Sequence, residues 1–354
     1  MTTEEIGLLY RVDGGHDMGL GHLARARSLC AELLRLGIKP VILSFADQNL
    51  LDEFFPDNIT VYQIPEPENE LHYLSYLTQY LNIRILIQDI RDTEDFYCRC
   101  LKSMGLFLIG FDDLGSGREL CDILIDANLP EQDGDYENVP FRFFGEKFMV
   151  LDPAFTDYNL KDKNVPRKVE NILISFGGSD PRGLTQWSLN MLYDFLKDYN
   201  VSIIAGKGIS SQNEIKQFCN NLGFRYIYNC SNMAQLLYES DLAVISGGIT
   251  LYEAAAVGTP SMVIPQVDHQ YEIGKRFERM GASVCPVDDS NLDHGKITKT
   301  LNKLIDNHNL RRKMSVTGKK IVDAQGVYRI GNVIEFVVKF FKGENSNCEN
   351  IKIN

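Results

Sequence analysis

The stretch Arg11-Val12-Asp13-Gly14-Gly15-His16-Asp17-Met18-Gly19-Leu20-Gly21-His22 puts a histidine where an apolar strand hands over to a helix. Ligands of open α/β sheets bind beyond the carboxyl ends of the strands, and this turn lies at such an end. Gly19 and Gly21 permit a tight backbone and close approach of a ligand. His22 falls at the first residues of the helix, where the dipole favours a neutral imidazole. A neutral imidazole can take a proton from water or a hydroxyl as a general base. A helix-capping histidine with no chemistry fits the same spacing. A dinucleotide fingerprint needs a third glycine near position 24, which is Ala24, so nicotinamide binding is not expected.

Two further glycine pairs follow strands in the second half. Phe176-Gly177-Gly178-Ser179-Asp180-Pro181 offers backbone amides for a phosphate, and Ser179 is expected to cap the next helix. In Ser246-Gly247-Gly248-Ile249-Thr250-Leu251-Tyr252-Glu253, the Ser246 and Thr250 hydroxyls and the glycine amides are donors for phosphate oxygens. Glu253, one turn into the helix, can accept from two ribose hydroxyls, although a carboxylate there is also simply stabilised by the dipole. Pro265-Gln266-Val267-Asp268-His269-Gln270 ends the next strand. Four such motifs at corresponding strand ends indicate a phosphate-bearing nucleotide ligand.

Absences narrow the chemistry. No Gly-x₄-Gly-Lys-[Ser/Thr] loop for ATP, no Gly-x-Ser-x-Gly elbow and no His-Glu-x-x-His are present, so neither cofactor nor metal is expected. Asp112-Asp113 is read as a strand-end turn. The formal charge of −12 argues against a nucleic-acid partner, which a basic surface would recruit. The start of the chain lacks a basic segment followed by a long apolar one, and no apolar run approaches the ~18 residues of a membrane span. The eight cysteines are scattered, with only Cys98 and Cys100 paired in sequence, and are expected to be reduced. A cytoplasmic protein without stable membrane insertion is the expectation; oligomeric state is left open.

These motifs need a scaffold of strands alternating with helices. Strands are expected at 7–12, 40–44, 84–88, 106–111 and 122–126, then at 171–176, 201–205, 225–228, 242–246, 260–264 and 283–286. Leu23, Ala26, Cys30, Leu33 and Leu34 recur at helical spacing, and Gly37 ends that helix. Further helices are expected at 184–199, 212–221, 233–239, 251–257, 271–280 and 331–341. Such alternation indicates an α/β protein with parallel sheets covered on both faces. The polar stretch 152–168 separates an N-terminal domain, 1–160, on the sugar and catalytic side from a nucleotide-binding C-terminal domain, 167–341. A disordered tail is expected over 342–354.

Arg11-Val12-Asp13 with Gly19-Leu20-Gly21-His22, Phe111-Asp112-Asp113, and residues 121–128, 145–155, 175–181, 246–253 and 326–330 together resemble one family. It is the GT-B-fold family containing the UDP-2,4-diacetamido-2,4,6-trideoxy-β-L-altropyranose hydrolase of pseudaminic acid synthesis. Spore-coat polysaccharide proteins and the glycosyltransferase that makes lipid II are more distant relatives. The resemblance implies a GT-B-like fold, two Rossmann-like domains with parallel sheets facing across a cleft. It implies that His22 activates water for metal-independent attack on the anomeric carbon of a UDP-sugar, with Asp13 and Gly21 beside the sugar. Gly177, Gly178, Ser179, Ser246, Gly247, Gly248 and Thr250 would meet the diphosphate, and Glu253 the ribose. The sugar would lie near Asp89, Arg91, His269 and Gln270. Here the chain departs from the family: Ile90 follows Asp89 where the hydrolase has tyrosine, and His269-Gln270 replaces Asn-Gln. The resulting expectation is a UDP-sugar hydrolase of nonulosonic acid or surface-polysaccharide synthesis. The alternatives are an inverting glycosyltransferase of the same fold and a non-catalytic nucleotide-sugar sensor.

Overall fold

A computed structural model describes residues 6–15, 19–64, 66–129, 136, 138–209, 211–287 and 292–344. The chain divides into two compact units, residues 1–152 with 325–354, and residues 153–324.

In the first unit the described strands are β1 (Gly7–Val12), β2 (Pro40–Ser44), β3 (Thr60–Gln63), β4 (Ile83–Asp89), β5 (Phe107–Phe111), β6 (Ile123–Asp126) and β7 (Phe141–Phe144). They form one sheet in the order β3-β2-β1-β4-β5-β6-β7, every pair parallel. β1 alternates two buried faces. Leu8, Tyr10 and Val12 enter a core shared with the helix Gly21–Arg35, and Leu9 enters a second core behind the sheet. The sequence order reverses direction between β1 and β4, which pair with Val12 opposite Asp89. Loops diverge at such a switch point and leave a crevice at the carboxyl ends of the two strands.

The second unit repeats the plan with β8 (Asn171–Ser175), β9 (Asn200–Ala205), β10 (Arg225–Tyr228), β11 (Leu242–Ile245) and β12 (Ser261–Val263), in the order β10-β9-β8-β11-β12. Its switch point lies between β8 and β11, where Ser175 pairs with Ile245. The stretch 283–286, expected as a strand, supplies only an isolated bridge from Val284 to Met262. β3 and β7 were not expected. Both are edge strands with largely exposed or half-buried residues, so they carry no apolar run to read.

The last helix, Gly326–Phe341, corrects the expected assignment of 167–341 to a single domain. Its stripe of Val327, Ile330, Ile334, Val337 and Val338 packs in the first unit's core beside Leu29, Cys30 and Leu33 of Gly21–Arg35. Gly326 and Gly331 permit the approach: a Cβ would lie 2.1 Å from the Met149 carbonyl at the first and 2.7 Å from the Glu32 side chain at the second. Ile334→Ala is therefore expected to destabilise the first unit by ~2–5 kcal/mol, read by denaturant unfolding. Unchanged unfolding would contradict this packing. From residue 345 onward the expected tail lies outside the described residues. The seven described cysteines are free thiols, five of them buried. No helix is long and apolar enough to cross a membrane, among the described residues.

Candidate functional site

In the first unit the turn after β1 closes on itself. Gly15 and Gly19 exchange backbone hydrogen bonds of 3.2 and 2.9 Å, and Gly19 takes φ +81°. The helix Gly21–Arg35 then starts with no side-chain cap. Gly14 has a packing reason, since a Cβ would meet Leu23 at 2.5 Å. Gly21 is exposed, and a Cβ there would meet nothing within 4 Å.

His22 follows on the helix's first turn with its side chain 21% exposed. Its Nδ1 lies 2.6 Å from Asp89 Oδ1 at the carboxyl end of β4, across the switch point. A carboxylate oxygen at that distance is satisfied by Nδ1–H, and in the neutral ring that tautomer leaves Nε2 with its lone pair. Asp89 is buried and fully occupied. The Tyr10 hydroxyl donates to Oδ2 at 2.9 Å and Arg25 Nε to the same oxygen at 2.8 Å. Arg25 Nη2 also donates to Oδ1. Burial pushes the Asp89 carboxyl up, but the charges of Arg25 and His22 and their hydrogen bonds outweigh it and hold it well below the usual carboxylate range. Asp89, expected at the sugar, is thus corrected: both oxygens are spent on orienting His22 and Arg25.

Asp13, expected beside His22 in catalysis, is likewise tied into the scaffold. Its Oδ2 accepts from Arg11 Nη2 at 2.6 Å, and its Oδ1 from the Phe45 amide at 2.8 Å, joining the ends of β1 and β2. Arg91 is half-buried, and its carbonyl accepts from the Leu114 amide.

Buried Arg25, Asp126 and Tyr10 and half-buried Asp112 complete a cluster that was not anticipated. Arg25 Nη1 donates to Asp112 Oδ2, and the Asp112 carboxyl is hydrogen-bonded to that of Asp126. Burial, then the neighbouring Asp112, pushes Asp126 up to about 8. A signal for Arg25 existed: it sits three residues after His22, on the same helix face, within the otherwise apolar stripe.

In the second unit the glycine turns after β8 and β11 meet their expected places. Gly177 takes φ +87° and Gly178 packs backbone to backbone, because a Cβ on Gly206 would lie 2.4 Å from Gly178 Cα. Gly208 N donates to the Gly178 carbonyl at 2.8 Å. Ser179 is not the helix cap; the helix starts at Leu184, and Asp180 accepts from the Leu184 and Thr185 amides at 2.8 Å each. Gln266, buried, donates to Asp180 Oδ1 at 2.6 Å and to the Phe176 carbonyl at 3.0 Å, which ties the end of β12 to this turn.

After β11, Ser246 is buried, Gly248 precedes the helix Ile249–Val257, and no side chain caps that helix. Uncapped first-turn amides at the positive end of a dipole are suited to an anion. Thr250 is buried in the same turn and Glu253 is half-buried one turn on. Gln270 packs over the glycines: a Gly247 Cβ would lie 2.3 Å from its carbonyl, and its Oε1 accepts from the Gln266 amide at 2.9 Å. Gln270, a residue expected near the sugar, thus braces the turn through its side-chain oxygen. His269 is exposed and lines a concavity of about 620 Å³ with Arg182, Gln266 and Glu272.

Two parallel α/β sheets, each with a glycine turn at its switch point, specify the architecture. The chain has the GT-B fold. It superposes on Acinetobacter baumannii MurG with a TM-score of 0.66 at 15% identity, over 93% of this chain and 99% of that one. Residues 173–326 match the glycosyltransferase family 28 C-terminal domain. Its relatives include the spore coat polysaccharide biosynthesis protein SpsG of Bacillus subtilis, 25% identical over 91% of this chain and 96% of that protein. An uncharacterized protein of Methanocaldococcus jannaschii is 29% identical over 73% of the chain, which spans 56% of that protein's length. The Helicobacter pylori pseudaminic acid cytidylyltransferase and UDP-2,4-diacetamido-2,4,6-trideoxy-β-L-altropyranose hydrolase is 21% identical over 74% of the chain and 45% of its own length. The resemblance read from the sequence is borne out at this level.

Proposed function

We propose that this GT-B protein is an enzyme of polysaccharide or nonulosonic acid synthesis that hydrolyses a UDP-linked amino or deoxy sugar without a metal. The observation that carries the reading is the His22–Asp89 pair at the first unit's switch point: the ring is 21% exposed, and in its neutral Nδ1–H form Nε2 keeps a lone pair. In this reading Nε2 takes a proton from water as the water oxygen bonds to the anomeric carbon. The bond from that carbon to the UDP oxygen breaks, and its electron pair leaves with the diphosphate. Asp89 stabilises the imidazolium that forms. The diphosphate is held by the amides around Gly177, Gly178, Gly247 and Gly248 with Ser246 and Thr250, and the ribose by Glu253. The UDP-sugar hydrolysed by the H. pylori relative supports the substrate class, and the spore-coat relative supports the polysaccharide context.

Transfer to an acceptor hydroxyl uses the same base and leaving group, and the family 28 match supports it. A panel of UDP-sugars, followed by UDP release with and without acceptors, separates the two. Release without acceptor is expected; release only with acceptor makes the protein a transferase. No release from any member, with UDP still bound, leaves a sensor. Glu253→Ala is expected to weaken UDP binding about 10-fold or more by calorimetry, as loss of a charged hydrogen bond would. Unchanged affinity would remove Glu253 from the ribose site.

A further inference from the structure

We infer that Arg25, Asp112 and Asp126 form a positioning relay behind His22, tying the tautomer and charge state of its imidazole to a carboxyl pair at the ends of two neighbouring strands. The inference deepens the reading of His22 as the base and rests on it.

Five segments converge to build the relay. Tyr10 comes from β1, His22 and Arg25 from the helix that follows, Asp89 from the end of β4, Asp112 from the residue after β5, and Asp126 from the end of β6. The guanidinium is its hinge. One edge, Nε and Nη2, grips both oxygens of Asp89, and Nη1 reaches Asp112. A planar fork can serve two carboxylates in this way; a lysine ammonium cannot. Arg25 Nη2 also lies 3.0 Å from His22 Nδ1, so both donors converge on Asp89 Oδ1 and fix the ring's direction.

Asp112 is held in a backbone conformation that a non-glycine residue adopts at a cost, with φ +46°. Its amide donates to the Ile125 carbonyl at 3.0 Å, which keeps its carboxyl against Asp126. Asp126 Oδ1 accepts from the Asn128 amide at 2.7 Å. Two carboxyl groups in hydrogen-bond contact share one proton. Asp126, pushed up to about 8 by burial and by Asp112, is the group that holds it near neutrality. With the Arg25 cation offset by Asp89, the singly protonated carboxyl pair leaves the cluster one excess negative charge. Loss of the Asp126 proton adds a second excess negative charge behind the imidazole and favours its protonated form. Two further titratable groups beside the cluster, the Tyr10 hydroxyl and the Cys30 thiol, are pushed up by burial and neutral through this range.

The test is nuclear magnetic resonance of the full chain labelled with ¹⁵N in its histidine rings, His22 being identified by the signals lost in His22→Gln. In the wild type the Nδ1–H form is expected at neutral pH, with a second inflection of the His22 nitrogen shifts near pH 8. Asp126→Asn keeps a hydrogen-bond donor toward Asp112 but cannot ionise. It is expected to abolish the second inflection and retain the Nδ1–H form. Arg25→Gln is expected to give a mixture of both tautomers. A second inflection absent from the wild type or retained in Asp126→Asn would overturn the relay, as would an unmixed Nδ1–H form in Arg25→Gln. If Arg25→Gln does not fold, Asp126→Asn decides alone. None of these readouts requires turnover, so a folded wild type that releases no UDP from any UDP-sugar sinks the functional reading separately.

Discussion

Replacing His22 with alanine is expected to lower UDP release from a UDP-sugar by roughly 10²–10⁴-fold, the usual contribution of a positioned general base. That corresponds to about 3–5 kcal/mol of transition-state stabilisation. Affinity for UDP itself is expected to change little. The turns proposed to hold the diphosphate, around Gly177 and Gly247, are braced by Gly206, Gly208, Gln266 and Gln270, all within residues 153–324. The split between lost turnover and kept affinity is the informative result. Near-normal turnover in the folded variant would take His22 out of the mechanism. Lost turnover together with lost UDP affinity would point to misfolding.

Asp89→Asn is the second large effect, and it acts in two ways. The aspartate is buried and shares both oxygens with Arg25, so removing its charge leaves the guanidinium with Asp112 as its remaining anionic partner. Breaking a buried pair costs up to ~3–5 kcal/mol, which denaturant unfolding would read. The second effect is on the base. A carboxamide can offer either an oxygen or an N–H to Nδ1, so the preference for the Nδ1–H tautomer is lost. The same exchange in Ser-His-Asp triads costs about 10⁴-fold. Here a loss of at least about 100-fold in turnover is expected at a temperature where the variant is folded. A stable Asp89→Asn protein with full activity would mean that Asp89 neither orients His22 nor anchors Arg25.

Much of this protein was legible in its residue order, and the reason is local. β1, β2 and β10 were bounded correctly because each is a short apolar or β-rich run punctuated by turn residues. Glycine pairs after β8 and β11 marked the two turns because a φ of +87° at Gly177 and the close approach at Gly247 admit no side chain, and such demands are written in residue type. His22 was found for a similar reason, as a histidine at a strand-to-helix junction. What could not be read were relations between residues far apart in the chain. Asp89 is 67 positions from His22, and nothing near either residue says that the carboxylate orients the ring instead of meeting a sugar. The Arg25–Asp112 contact spans 87 positions. Sheet order alone makes these groups neighbours, because β4 inserts beside β1 and β5 and β6 follow it. The last helix shows the same limit: its amphipathic stripe announces that it must pack, but any apolar surface satisfies that demand. The complementary surface of the helix Gly21–Arg35 assigns it to the first unit, some 300 residues earlier in the chain.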